Sequence, residues 1–101
     1  MAVEPLSESA IAERLPELPH WEAADDRLGR IYRFSGHLPA VAMLVHIAQL
    51  QEELNHHADL ALTYNQLTVA VTTHSVGGRI TELDFELARR IEAIAPAHGA
   101  S

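Results

Sequence analysis

Apolar residues recur at helical spacing in three stretches of the chain and at alternating positions between them. Ser7 reads as a helix N-cap, with Leu6 before it and Ile11 placed to staple. Ile11, Leu15 and Leu18 continue the stripe, and Pro16 and Pro19 stop the helix near Leu15. Trp21 to Ala23 reads as a short strand and Asp25-Asp26 as a turn. Arg27 to Phe34 reads as a second strand with Leu28, Tyr32 and Phe34 on one face, flawed by Arg30 on that same face. The longest helix is predicted from about Pro39 to His56. Val41, Leu44, Val45 and Ala48 form one apolar stripe, and Met43, Ile47, Leu50 and Leu54 form its neighbour. Leu60 to Tyr64 and Leu67 to His74 read as strands joined around Asn65-Gln66; His74 falls on the polar face with Thr68, Ala70 and Thr72. Gly77-Gly78 ends that strand. Thr81 opens a last helix with Leu83, Leu87, Ile91 and Ile94 inward and a Glu86–Arg90 pair outside; Pro96 ends it.

The order α-β-β-α-β-β-α predicts an α+β fold: a four-stranded antiparallel sheet with helices packed on one face. Its 101 residues suit one domain, 1–101, with 96–101 as a loose tail. Neither a usable internal repeat nor a linker is visible.

Charge and composition narrow the function. Fourteen acidic residues against seven basic ones give a net charge of −7, unfavourable for nucleic acid. The longest purely apolar run, Ala40 to Val45, is far too short to span a membrane, and Met1 to Ala10 shows no signal peptide. The absence of cysteine excludes thiolate chemistry and disulfides and fits a cytoplasmic protein. Seven histidines remain as the candidates for chemistry.

The chemical signal lies between Glu52 and Asp84: Glu52-Glu53-Leu54-Asn55-His56-His57, then Tyr64-Asn65, Thr73-His74 and Asp84. Each group falls at the end of a predicted element, where side chains can converge on a cleft. Helical spacing pairs Glu52 with His56 and Glu53 with His57. His56 and His57 diverge by about 100° unless the helix stops there. Each feature also has a structural reading. A histidine pair caps a helix C-terminus, His74 alone reads as a surface residue, and Thr81-x-x-Asp84 has capping-box spacing. A zinc set drawn from Glu52, His56, His57, His74 and Asp84 is the alternative, without the HExxH spacing of a helical zinc site. His20, His37, His46 and His98 show no pattern.

Taken together, Glu52, His56, His57, Tyr64, His74 and Asp84 resemble the signature of the pterin-4a-carbinolamine dehydratase family. Trp21, Thr73 and the run Glu82-Leu83-Asp84 with Leu87-Ala88 continue the likeness, which covers roughly Leu6 to Ala95. Ala58 stands where the family usually has proline and Leu60 where it usually has tryptophan; the His74–Asp84 segment is one residue longer than in many relatives. The resemblance implies dehydration of 4a-hydroxytetrahydropterin to quinonoid dihydropterin and water, with no metal or cofactor. It implies His56 and His74 as proton donors, His57 as the pterin-orienting residue, Glu52 tuning His56, and Asp84 supporting His74 or its helix. Tyr64 and Thr73 complete the supporting set. A homodimer or homotetramer and a functional link to an aromatic amino acid hydroxylase are also implied. The alternative is a scaffold of the same fold that binds and dimerises or assembles a protein partner.

Overall fold

The structure, a computed structural model, describes residues 3–101. Helix α1 (Glu8–Arg14) starts at Ser7, whose side chain accepts from the Ala10 amide, and passes into a 3-10 turn at Leu15–Glu17. Strands β1 (Glu22–Ala24) and β2 (Arg27–Arg33) form a hairpin around Asp25-Asp26, both at positive φ. Helix α2 spans His37–Leu54, β3 Asp59–Thr63, β4 Gln66–Val71 and α3 Glu82–Ile94. The sheet order is β1-β2-β4-β3, antiparallel throughout, so the predicted α+β class and element order hold.

Strand register explains the core. Leu28, Arg30 and Tyr32 of β2 sit opposite Val71, Val69 and Leu67 of β4, which in turn face Leu60 and Leu62 of β3. This face meets Met43, Ile47 and Leu50 of α2 and Phe85, Leu87, Ala88 and Ile91 of α3. Arg30, the flaw in the alternation, lies over the Tyr32 ring at 4.3 Å, with its Nε 3.4 Å from Glu92 of α3. The same Glu92 oxygen accepts from the Tyr32 hydroxyl (2.5 Å) and the Trp21 indole (3.0 Å). A charged residue in a core register is tolerated because its counter-charge arrives from the helix above.

Several boundaries move. Helix α2 begins two residues before Pro39, after an extended Gly36, which still leaves Pro39 in the first turn where no backbone donor is needed. It ends at Leu54, not His56, because Asn55 takes the left-handed conformation (φ 51°). Its two stripes are covered unequally: Met43 and Ile47 are fully buried, whereas in the other stripe Leu44 is only partly buried against the core and Val45 is 64% exposed; Leu38, outside both stripes, is 78% exposed. Strand β4 stops at Val71, because β2, its partner, has reached the Asp25-Asp26 turn; the Thr72 hydroxyl donates to the Asp26 carbonyl instead. His74 therefore starts a 3-10 turn rather than lying on a strand, and Gly77 and Gly78, both at positive φ, bring Arg79 back to bridge Thr73. The segment expected as a loose tail forms a 3-10 turn at Ala95–His98, and Ser101 exchanges backbone hydrogen bonds with Arg33.

Candidate functional site

The end of α2 decides where the two neighbouring histidines go. The His56 amide donates to the Gln51 carbonyl (3.0 Å) and the Asn55 amide to the Glu52 carbonyl (3.3 Å), the paired bonds of a helix stop built on a left-handed residue. Asparagine tolerates that conformation better than most residues. The chain reverses there, so His56 turns inward and is buried, while His57 remains exposed.

Beneath His56 lies Asp84, fully buried in the first turn of α3. One carboxylate oxygen is 2.6 Å from His56 Nε2; the other accepts from the Thr73 hydroxyl (2.9 Å) and the Thr81 amide (2.8 Å). A carboxylate filled in this way accepts only, so the His56 proton is assigned to Nε2 and its Nδ1 is the nitrogen left for other partners. The Thr73 hydroxyl spends its hydrogen on Asp84. Its 2.7 Å contact with Thr81 is therefore a donation from Thr81, which itself accepts from the Leu83 amide (3.2 Å). The capping box expected from Thr81-x-x-Asp84 is present, and the same aspartate also holds the histidine.

The carboxylate partners differ from those expected by helical spacing. Glu52 does not meet His56; it reaches His57, Oε2 to Nε2 at 2.5 Å, five residues along the chain. Glu53 faces Gln49 and Arg90 instead. Helical spacing fails because the helix ends at Leu54, two residues before His56.

His56, His57, Thr73 and His74 line one pocket of about 260 Å³, together with Asn55, Ser75 and Leu83. Among the described residues the His74 side chain makes no hydrogen bond, and it is exposed at the rim. Tyr64 does not join: it is 70% exposed and stacks on His37, whose Nδ1 is 2.6 Å from the Tyr64 carbonyl. His46 and His98, which showed no pattern in the sequence, lie 2.9 Å apart between ring nitrogens. Two hollows are larger. One, of about 480 Å³, lies on the open sheet face by Gly29, Ile31 and Thr68; the other, of about 440 Å³, lies between α1 and the β1–β2 turn. Neither gathers more than one histidine, whereas the smaller pocket gathers three, which makes it the candidate site. Among the described residues no three histidine or carboxylate side chains converge as a metal-ligand set. Sequence reasoning missed Gln51, a buried polar residue whose place on a helical stripe gave no sign of its reach.

A family model for pterin 4 alpha carbinolamine dehydratase matches residues 4–94. The chain belongs to the pterin-4-alpha-carbinolamine dehydratase family. A protein of Streptomyces avermitilis whose name places it in this dehydratase family is 59% identical over the full length of both chains. One of Chloroflexus aurantiacus is 40% identical over 88% of this chain and 95% of its own. Among solved structures, one described as a transcriptional coactivator/pterin dehydratase from Brucella melitensis superposes with a TM-score of 0.86 at 34% identity, covering 91% of this chain and 99% of its own. A pterin dehydratase-like RuBisCO assembly factor of the alpha-carboxysome shares the fold, with a TM-score of 0.61 at 20% identity over 74% of this chain and 86% of its own.

Proposed function

We propose that this dehydratase-family chain converts 4a-hydroxytetrahydropterin to quinonoid dihydropterin and water, as part of recycling a pterin spent by an aromatic amino acid hydroxylase in the cytoplasm. The observation that carries the reading is the three-histidine pocket in which His56 is fixed by Asp84 and His57 by Glu52. Breaking the C4a–O bond needs a proton on the departing hydroxyl and removal of the N5 proton. In this reading His56 and His74 donate to the departing hydroxyl, one for each face of C4a, His56 from Nδ1 in its doubly protonated form; the N5 proton passes to the histidine that is not donating or to water, and His57 orients the pterin. Asp84 takes the role toward His56 that the sequence assigned to Glu52, and Glu52 serves His57. Tyr64, absent from the three-histidine pocket, is left to contact the substrate only if a partner chain brings it near.

The test is turnover of freshly generated carbinolamine, measured against its uncatalysed dehydration. The expected result is acceleration that survives prolonged chelation; no acceleration, or a stoichiometric metal whose removal abolishes it, overturns the reading. The Brucella structure, described by both a coactivator and a dehydratase role, favours one second reading: a scaffold binding a protein partner. Absent turnover together with a stable partner complex would select it.

A further inference from the structure

The four residues between α2 and β3, Asn55 to Ala58, carry both paired histidines, and a single residue grips this segment at two points, once through its backbone and once through its side chain. Gln51 is 6% exposed on the last turns of α2. Its backbone carbonyl accepts the His56 amide at 3.0 Å, and its side-chain Oε1 accepts the Ala58 amide at 2.8 Å. His56 and His57 therefore lie between two hydrogen bonds to one buried residue. The bond to the carbonyl belongs to the helix stop and forms with any side chain. The bond to Ala58 exists only because residue 51 carries an acceptor and residue 58 a donor. Immediately after Ala58 the chain enters β3, so this second bond fixes the direction in which it leaves His57.

We propose that Gln51 is a positioning residue for the histidine pair: its amide oxygen, through the Ala58 N–H, holds the segment in the course that sends His56 down to Asp84 and His57 out to Glu52. A neutral acceptor suits the task, since a buried amide answers one donor without bringing a charge beside two imidazoles. Without the acceptor, the Ala58 amide becomes a donor with no partner in a half-buried place, and the loop shifts to find water. This inference deepens the dehydratase reading and rests on it, so structure and turnover are read separately.

The experiment is a double-mutant cycle between Gln51→Leu and Ala58→Pro. Proline has no backbone donor, so in its background the glutamine oxygen has nothing to hold. In the otherwise natural chain, Gln51→Leu should speed hydrogen exchange at the Ala58 amide roughly tenfold, as expected for one buried hydrogen bond. It should lower kcat about tenfold, within the range for a small displacement of catalytic groups. Gln51→Met, unbranched and equally without an oxygen, repeats the test if leucine does not fit. In the Ala58→Pro background the same substitution should change kcat less than about twofold, because the two positions are coupled. Equal kcat losses in both backgrounds, or unchanged exchange at Ala58, would overturn the proposal: Gln51 would then be packing only. If the natural chain shows no turnover, the dehydratase reading fails by itself. The His56 and His57 ring-proton shifts then replace kcat: they should move on Gln51→Leu in the natural chain and stay fixed in the Ala58→Pro background, and the opposite result refutes the clamp.

Discussion

Asp84 receives three hydrogen bonds from three different parts of the chain, and this makes it the most informative single position. Replace it by asparagine and the shape is kept. The amide oxygen must still take the Thr73 hydroxyl and the Thr81 amide, so the NH2 group faces His56 Nε2 and donates to it. Nε2, now accepting from the amide, cannot also carry a proton, so the ring holds a single proton on Nδ1 and loses the doubly protonated form that donates. Asp84→Asn should lower turnover roughly 10²–10⁴-fold with a stability change within about 1 kcal/mol. Wild-type kcat in a folded Asp84→Asn protein would show that His56 tautomerism plays no part. Each of His56→Ala and His74→Ala should mainly lower kcat, and His57→Ala should mainly raise KM, with His20→Ala, on the exposed segment before β1, as the control. His98 cannot serve as that control, because its ring contacts His46. The histidine set and Asp84 were legible because their spacing survives in the sequence. Their carboxylate partners were not, because one left-handed residue, Asn55, resets the angular relation that i,i+4 reasoning assumes.

The β2–α3 contact shows how an element absorbs a polar group in its core register. Arg30 breaks the alternation of β2 in sequence, and nothing in that strand announces its counter-ion, which sits 62 residues later on α3. The periodicity thus gave the strand correctly and left the flaw unexplained. The Tyr32 hydroxyl shares the same carboxylate, and burial first, then the bond to Glu92, push its ionisation far above the ordinary 10.0. A phenol whose ionisation is raised by folding contributes stability that is complete below pH 10 and is lost as the pH climbs beyond it. The unfolding midpoint should therefore fall above pH 10, and Tyr32 should add to phenolate absorbance only as the protein unfolds. Tyr32→Phe should cost about 1–2 kcal/mol near neutral pH and remove this part of the alkaline slope. A slope identical in the two proteins would assign the alkaline loss to other groups.

At the scale of the molecule, the two adjacent stripes on α2 read in the sequence as one wide apolar face for the sheet, and the core takes only part of it. Period 3.6 identifies both and cannot choose, because an apolar stripe is equally expected against a core or against another chain. The fold chooses Met43, Ile47 and Leu50, and leaves Val45 and Leu38 in solvent with Val41 half-covered. In the sheet that α2 covers, β3 is an edge strand with its outer backbone groups unpaired in the sheet. Exposed apolar side chains on a helix next to an open edge are the features that association removes. We expect a homo-oligomer, a dimer or a tetramer, with this helix face at a contact. A charge buried there without a partner opposes association and does not touch the monomer core. Val45→Asp should therefore reduce the assembled mass seen by light scattering at micromolar concentration, while circular dichroism stays that of the folded chain. If the natural protein scatters as a monomer, the oligomer expectation fails. If Val45→Asp leaves an oligomer undisturbed, the contact lies elsewhere, with the β3 edge as the next surface to alter. Should the variant become monomeric and also lose turnover, the pocket depends on its neighbour, and Tyr64, exposed and absent from the three-histidine pocket of its own chain, becomes a candidate for the residue one protomer lends to the next.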